Sequence, residues 1–282
     1  MKHNQIALLL LLLLPACQVS PDSTSVIKSP TSNPKPIIAG VPSELQPDTN
    51  KLQVNTRPLK IVVEIDKSLS TNQTKVQQPK WQDFQPLLQK LRQIGGELAI
   101  GTICNNSNQS FIRLRLEKPL TLPQKPIEPS NNINPLKLPE LQAEYEKKLT
   151  AYQQQLQADQ QQQQQWEQNN TTKIKQFQTK LQLLLNKSVA CTRTDIWNAV
   201  NRADLFLAEN DASWGQSTNR IAVLISDGID DVKAKFLPMK SKAKVILVNG
   251  SANIGSLTSL NPELFESTPA AFRYIIATNG GK

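Results

Sequence analysis

Two short stretches of this 282-residue chain place oxygen ligands directly after apolar runs. Asp66-Lys67-Ser68-Leu69-Ser70 follows the run from Leu59 to Ile65, and Asp227-Gly228 follows the run from Arg220 to Ser226. Both runs are rich in β-branched residues and read as buried strands of a parallel sheet. In a doubly wound sheet the loops at the carboxyl ends of the central strands converge. Two carboxylates and two hydroxyls would then meet at one rim. A donor set made only of oxygen suits a hard cation: Mg²⁺, or Ca²⁺ or Mn²⁺ if the site is more open.

Composition removes several other chemistries. The only histidine is His3, inside an apolar leader, so beyond the leader there is no imidazole. Ser/His/Asp hydrolysis, Cys/His proteolysis and His-ligated zinc are thereby excluded. A phosphotransfer or hydrolase site with Asp66 as nucleophile commonly uses a second Asp two positions on, and Ser68 stands there. The expectation is a protein that is not an enzyme. The net charge of +9 comes from scattered Lys and Arg rather than a stripe, which reads as a solvated basic surface and not as a nucleic-acid face.

The elements that would position these residues follow from periodicity. Trp81, Phe84, Leu87, Leu88, Leu91 and Ile94 recur at helical spacing, and Gly95-Gly96 ends that helix. Glu97–Cys104 and Phe111–Leu116 read as two strands of a hairpin joined by an Asn/Ser turn, Asn105–Asn108. Lys67–Gln78 reads as a polar loop. After a Pro-rich, irregular stretch from Pro119 to Pro139, Glu140 to about Lys187 forms a polar helical arm. Leu141, Tyr145, Leu149, Tyr152 and Leu156 mark a heptad-like seam, with Trp166 near it and Ile174, Phe177, Leu181 and Leu184 resuming it. The arm is either one helix of about 70 Å or a hairpin broken at Asn169-Asn170-Thr171. It either projects into solvent or offers a coiled-coil-like docking surface. A helix from Asp195 to Ala208, strands Arg220–Ser226 and Lys244–Asn249, a short helix at Val232–Lys240, a last helix at Asn261–Phe265 and a short strand at Phe272–Ile276 complete the pattern. Strands alternating with helices predict an α/β fold, Rossmann-like and doubly wound. Its mostly parallel sheet has one antiparallel edge strand and carries a long inserted helical arm.

Residues 1–16 have the layout of a secretory signal, and Leu14-Pro15-Ala16-Cys17 resembles the bacterial lipobox, which implies lipidation at Cys17. Residues 17–58 are rich in Ser, Pro, Asn, Thr and Lys and read as a disordered tether. The expected location is the cell envelope, lipid-anchored, at the outer membrane if the organism has one, because Gln18 rather than Asp follows the Cys.

On these residues the chain resembles the von Willebrand factor type A family, also called the integrin I-domain fold. Asp66, Ser68 and Ser70 match the DxSxS element of the family's metal-ion-dependent adhesion site, and Asp227-Gly228 matches its last element. Thr194, followed by Asp195-Ile196, matches the Thr that precedes a helix. The resemblance covers residues 59–282, interrupted by a Pro-rich and Gln-rich helical insertion at 119–172. It implies that Ser68, Ser70 and either Thr194 or Asp227 hold the ion directly while the other acids act through water. An acidic side chain of a protein partner would fill the open coordination position. The sequence departs from the family at Lys67, beside the ion, and at Arg193, where a small residue is usual. In this fold Cys104 and Cys191 could approach one end of the sheet, as a disulfide or as two reduced thiols. Trp197 reads as core packing and Trp214 as an exposed interaction anchor. The alternative function is a structural scaffold in which the arm docks the partner and the metal site is silent.

Overall fold

The computed structural model describes residues 57–74, 76–130, 134–187, 191–211, 218–232, 235, 237–249 and 254–279. A six-stranded sheet runs in the order β3-β2-β1-β4-β5-β6, with β1 Leu59–Asp66, β2 Gly96–Ile103, β3 Ile112–Leu116, β4 Asn219–Ile225, β5 Lys244–Val248 and β6 Glu263–Phe265. All pairings are parallel except that of β2 with the edge strand β3. The architecture is therefore α/β with a mostly parallel sheet and one antiparallel edge strand.

All eight residues of β1 are buried, as a central strand between two parallel neighbours requires. Alternation splits the strand between two cores. Leu59, Ile61, Val63 and Ile65 pack with Phe84, Leu87 and Leu91 of α2 (Trp81–Ile94) and with Phe272 and Ile275 of α5 (Thr268–Asn279). Val62 faces the other way and packs with Trp197, Val200 and Phe206 of α4 (Ile196–Ala208). Lys60 and Glu64, of the same parity, are paired in place. Lys60 donates to Asp211 Oδ1 at 2.8 Å, and Glu64 is gripped by Arg202 of α4. Leaving either charge unpaired at this depth would cost several kcal/mol, on the order of 3–5. The chain passes from α2 to β2 through Gly95 at φ 77° and Gly96 at φ 150°. A Cβ on Gly96 would meet Leu59 O at 2.3 Å, so only glycine lets β2 start against β1.

The arm is one helix. α3 runs from Leu138 to Asn186 without a break at Asn169-Asn170-Thr171, and its last turns are anchored by buried Phe177 and Leu181. It thus extends past residue 172, and its C-terminal part belongs to the core. The seam on its outer part is not bare. Leu141, Tyr145, Leu149, Tyr152, Leu156 and Trp166 are all half-buried, and so are Pro119, Pro123, Pro126 and Pro129, while the residues between those prolines are exposed. Trp166 Nε1 donates to Glu117 O at 3.1 Å, which fixes the start of the Pro-rich segment on the helix. From Glu117 to Ser130 a polyproline II strand covers about 40 Å, and the helix from Trp166 back to Leu138 covers about 42 Å. The segment reads as irregular by composition and carries no helix or strand, and Pro123, Pro126 and Pro129 recur three apart, the period of a polyproline II helix.

Other expectations need correction. The loop 67–78 contains a short helix, α1 (Leu69–Gln73), closed by Thr71 Oγ1 to Ser68 O and Thr74 N to Ser70 O. The hairpin connection spans residues 104–111 and is longer than a tight turn, because Cys104 and Ser107 are tied to the 191–195 segment. Residues 261–265 are not a helix: a 3₁₀ turn at Gly255–Leu260 precedes β6. Phe272–Ile276 lies inside α5, where Ala271, Phe272 and Ile275 share one buried face; so short a run fits either period. The described residues of 232–240 carry no helix. Among the described residues no helix is long and apolar enough to cross a membrane.

Candidate functional site

Parallel register brings the ends of β1 and β4 side by side: Ile65 pairs with Ile225, so Asp66 lies next to Ser226 and Asp227 follows at the same rim. All three are buried. Asp66 accepts from two partners, Ser68 N at 2.8 Å on Oδ1 and the Ser226 hydroxyl at 2.6 Å on Oδ2. Asp227 accepts Ile229 N at 3.0 Å on Oδ1 and the Thr74 hydroxyl at 3.0 Å on Oδ2. The hydroxyls of Ser68 and Ser70 lie 2.9 Å apart and share a hydrogen bond. Asp66, Ser68, Ser70 and Asp227 are thus collected into one network from two separate loops.

Thr194 comes from a third loop, and the backbone stitches that loop to the other two. Leu69 N donates to Cys191 O at 3.0 Å, and Ser68 and Cys191 form a parallel bridge, which ties it to the Ser68–Ser70 turn. Asp231 N donates to Thr194 O at 2.9 Å, which ties it to the segment after Asp227. Cys104 and Cys191 form a disulfide with a Cα–Cα distance of 5.1 Å, and Asp195 N donates to Cys104 O at 3.1 Å. The loop is therefore held at the end of β2 as well. Asp230 Oδ1 accepts the first helical N–H of α4, Ile196 N, at 2.9 Å.

Burial dominates the electrostatics at the rim. Burial pushes the Asp66 carboxyl above its ordinary range, the bonds from Ser226 and Ser68 oppose that, and the neighbouring charge of Asp227 adds to it. Neither basic residue that breaks the family pattern is bonded to these acids. Lys67 Nζ donates to Leu185 O at 3.0 Å in the last turn of α3, and burial lowers its pKa. Arg193 is exposed and donates to Asp231 O at 3.1 Å.

The network tests what could sit here. A purely hydrogen-bonded polar cluster accounts for both carboxylates and for the serine pair. It does not account for Thr194, whose Oγ1 is buried with no hydrogen-bond partner among the described residues. A buried hydroxyl without a partner costs about 1–3 kcal/mol, so a ligand that engages it is favoured. Among the described residues no three His, Cys, Asp or Glu gather to hold an ion. The Ser68, Ser70 and Thr194 hydroxyls and the Asp66 and Asp227 carboxylates supply only oxygen donors, the kind that a hard divalent ion takes.

Two participants escape a reading of sequence alone. Ser226 orients Asp66 and also accepts Gly228 N at 3.1 Å, and its only signal is its place before Asp227. Thr74 reaches Asp227 because α1 brings it one turn beyond Ser70, so the missed helix hides it. Trp197 is buried in the core as expected. Trp214 and Cys17 lie outside the described residues.

No protein-family model, curated protein or solved structure matches this chain.

Proposed function

We propose that the compact part of this chain is a von Willebrand factor type A-like domain, Rossmann-like and doubly wound, that binds a divalent cation and through it a protein partner. Mg²⁺, or Ca²⁺ or Mn²⁺, is held by Ser68, Ser70 and Thr194, with Asp66 and Asp227 acting through water. The carboxylates orient the loops that carry these ligands: Asp66 accepts Ser68 N and the Ser226 hydroxyl, and Asp227 accepts Ile229 N and the Thr74 hydroxyl. An ion held by few charged ligands stays electrophilic and takes an acidic side chain of the partner as its remaining ligand. The observation that carries this reading is the unpartnered, buried hydroxyl of Thr194 on a loop stitched to both acidic loops. The protein acts as a binding module and not as an enzyme, exported and anchored through a lipid on Cys17, with residues 17–58 as its tether.

The test pairs cation titration with partner capture. The full chain binds Mn²⁺ saturably, and capture of its partner from solubilised envelope is lost both in excess chelator and in Asp66→Ala, whose melting in chelator stays close to that of the unsubstituted chain. Capture that persists in chelator rejects the reading.

The second reading makes the arm a docking scaffold. What favours it is the length of helix that extends beyond the core, with Leu136 and Ile127 about nine-tenths exposed. Against it, the heptad-like seam is half-buried rather than open, and Trp166 Nε1 donates to Glu117 O at the start of the Pro-rich segment. Deleting residues 119–166 separates the two, because the scaffold reading requires loss of capture that is indifferent to the cation.

A further inference from the structure

Lys67 stands inside the cation loop, between Asp66 and Ser68, where a positive charge opposes an incoming ion. We infer that Lys67 is a positioning residue: it fixes the turn that carries Ser68 and Ser70 by capping the last turn of α3, so that the root of the inserted helix is part of the frame of the cation site. The inference rests on the cation reading of this rim and adds to it a residue that holds no ion itself.

Three observations support the assignment. The first is where the side chain goes. Lys67 Nζ donates to Leu185 O at 3.0 Å, 118 residues along the chain. It makes no ion pair among the described residues, neither with Asp66 nor with Asp227. Its charge is therefore directed at a helix end and not at the acids of the rim. The second is what that helix lacks. The last four carbonyls of a helix have no partner within it, and Leu185 is the next-to-last residue of α3. Leu183 O accepts Lys187 N at 3.1 Å, but α3 has no basic residue in its last turn. Lys67 supplies from another part of the chain both the donor and the positive charge that the carboxyl end of a helix favours.

The third observation is that Lys67 is held at both of its ends. Its backbone N–H donates to Ile103 O at 3.1 Å, at the end of β2, while its ammonium is fixed on α3. The next two amides are also engaged: Ser68 N donates to Asp66 Oδ1 at 2.8 Å and Leu69 N to Cys191 O at 3.0 Å. The turn with the Ser68 and Ser70 hydroxyls thus leaves β1 from a residue clamped between β2 and the root of the arm.

A strut and a mere neighbouring charge predict opposite signs. Removing a like charge near an ion tightens cation binding, whereas removing a strut weakens it. Mn²⁺ is titrated into the full chain, into Lys67→Met, which keeps the stem without a donor, and into Lys67→Arg, which keeps charge and donors. Lys67→Met should bind Mn²⁺ about tenfold more weakly, on the scale of one charge-assisted hydrogen bond, and Lys67→Arg about as well as the unsubstituted chain. Equal or tighter binding by Lys67→Met overturns the proposal. Amide exchange in excess chelator reads the strut without the cation. In Lys67→Met, exchange should quicken at Ser68, Leu69 and Lys187 together while the amides of β1 and β4 stay slow, and Lys67→Arg should leave all of them unchanged. Faster exchange at Lys187 alone makes Lys67 a helix cap with no hold on the turn, which also overturns the proposal. An unsubstituted chain that binds no Mn²⁺ rejects the cation reading of the rim, and the exchange result then decides the strut by itself.

Discussion

Replacing Thr194 with valine should stabilise the domain without cation and destabilise it, relative to the unsubstituted chain, with cation. Valine keeps the β-branched shape and leaves the backbone carbonyl that accepts Asp231 N and Val232 N. It removes only the hydroxyl that is buried with no partner. Relief of that orphan is worth about 1–3 kcal/mol. For a domain of this size this raises the melting temperature in excess chelator by roughly 2–12 °C. Cation reverses the order. At a thousand times its dissociation constant a ligand adds about 4.1 kcal/mol to the form that binds it, more than the relief. The unsubstituted chain gains this, while Thr194→Val, short of one ligand, gains much less. Scanning calorimetry of both chains in chelator and in a Mg²⁺ series reads the two orders directly. A Thr194→Val chain that melts lower in chelator, or that gains as much from Mg²⁺ as the unsubstituted chain, refutes the reasoning.

Three further outcomes follow from the same structure. Replacing Cys104 and Cys191 by serine opens a cross-link across 87 residues and should cost about 2–5 kcal/mol in denaturant unfolding. It should also weaken Mn²⁺ binding, because the disulfide holds the Thr194 loop to β2; destabilisation with unchanged cation affinity counts against that role. Burial raises Glu64 from 4.5 to about 7 despite the opposing Arg202 guanidinium. The folded state then keeps a proton that the unfolded chain has released in that window, so this contribution is present below it and is lost as pH rises through it. Stability should fall by roughly 1–3 kcal/mol from acid to neutral pH, with a shallower slope in Glu64→Gln; identical slopes would contradict the assignment. Replacing Pro123, Pro126 and Pro129 by serine should speed amide exchange over residues 141–166 while the sheet melts unchanged, and unaltered exchange would show that the prolines do not brace the arm.

Much of the sheet is legible in the residues because its central strands are buried on both faces and read as runs rich in β-branched residues, as in Leu59–Ile65. The long amphipathic period of Trp81–Ile94 is equally plain. Short elements are not. Phe272–Ile276 is five residues long and mixes apolar residues with Arg273, which leaves its period open; in the fold it is helical, with Phe272 against Phe84. α1 is invisible because Ser, Thr and Asn in Leu69–Gln73 favour loops, and side-chain bonds to backbone carbonyls close it. Asp66, Ser68, Ser70 and Asp227 could be proposed because they follow strands whose register the sheet fixes. Ser226 and Thr74, which orient the acids, carry no spacing signal of their own. The continuity of α3 through Asn169-Asn170-Thr171 depends on Phe177 and Leu181 docking beyond it. Its tie to the start of the Pro-rich segment, through Trp166 Nε1 and Glu117 O, has no signal in the composition.

The central claim is that a divalent ion sits among Ser68, Ser70 and Thr194 at the carboxyl rim of the sheet. Crystals grown with Mn²⁺ and measured near its absorption edge test it most directly. The account predicts an anomalous peak within coordination distance of those three hydroxyls, about 2.0–2.6 Å. A Mn²⁺-saturated crystal with no peak there, and with the Thr194 hydroxyl bonded instead to protein or water, contradicts it.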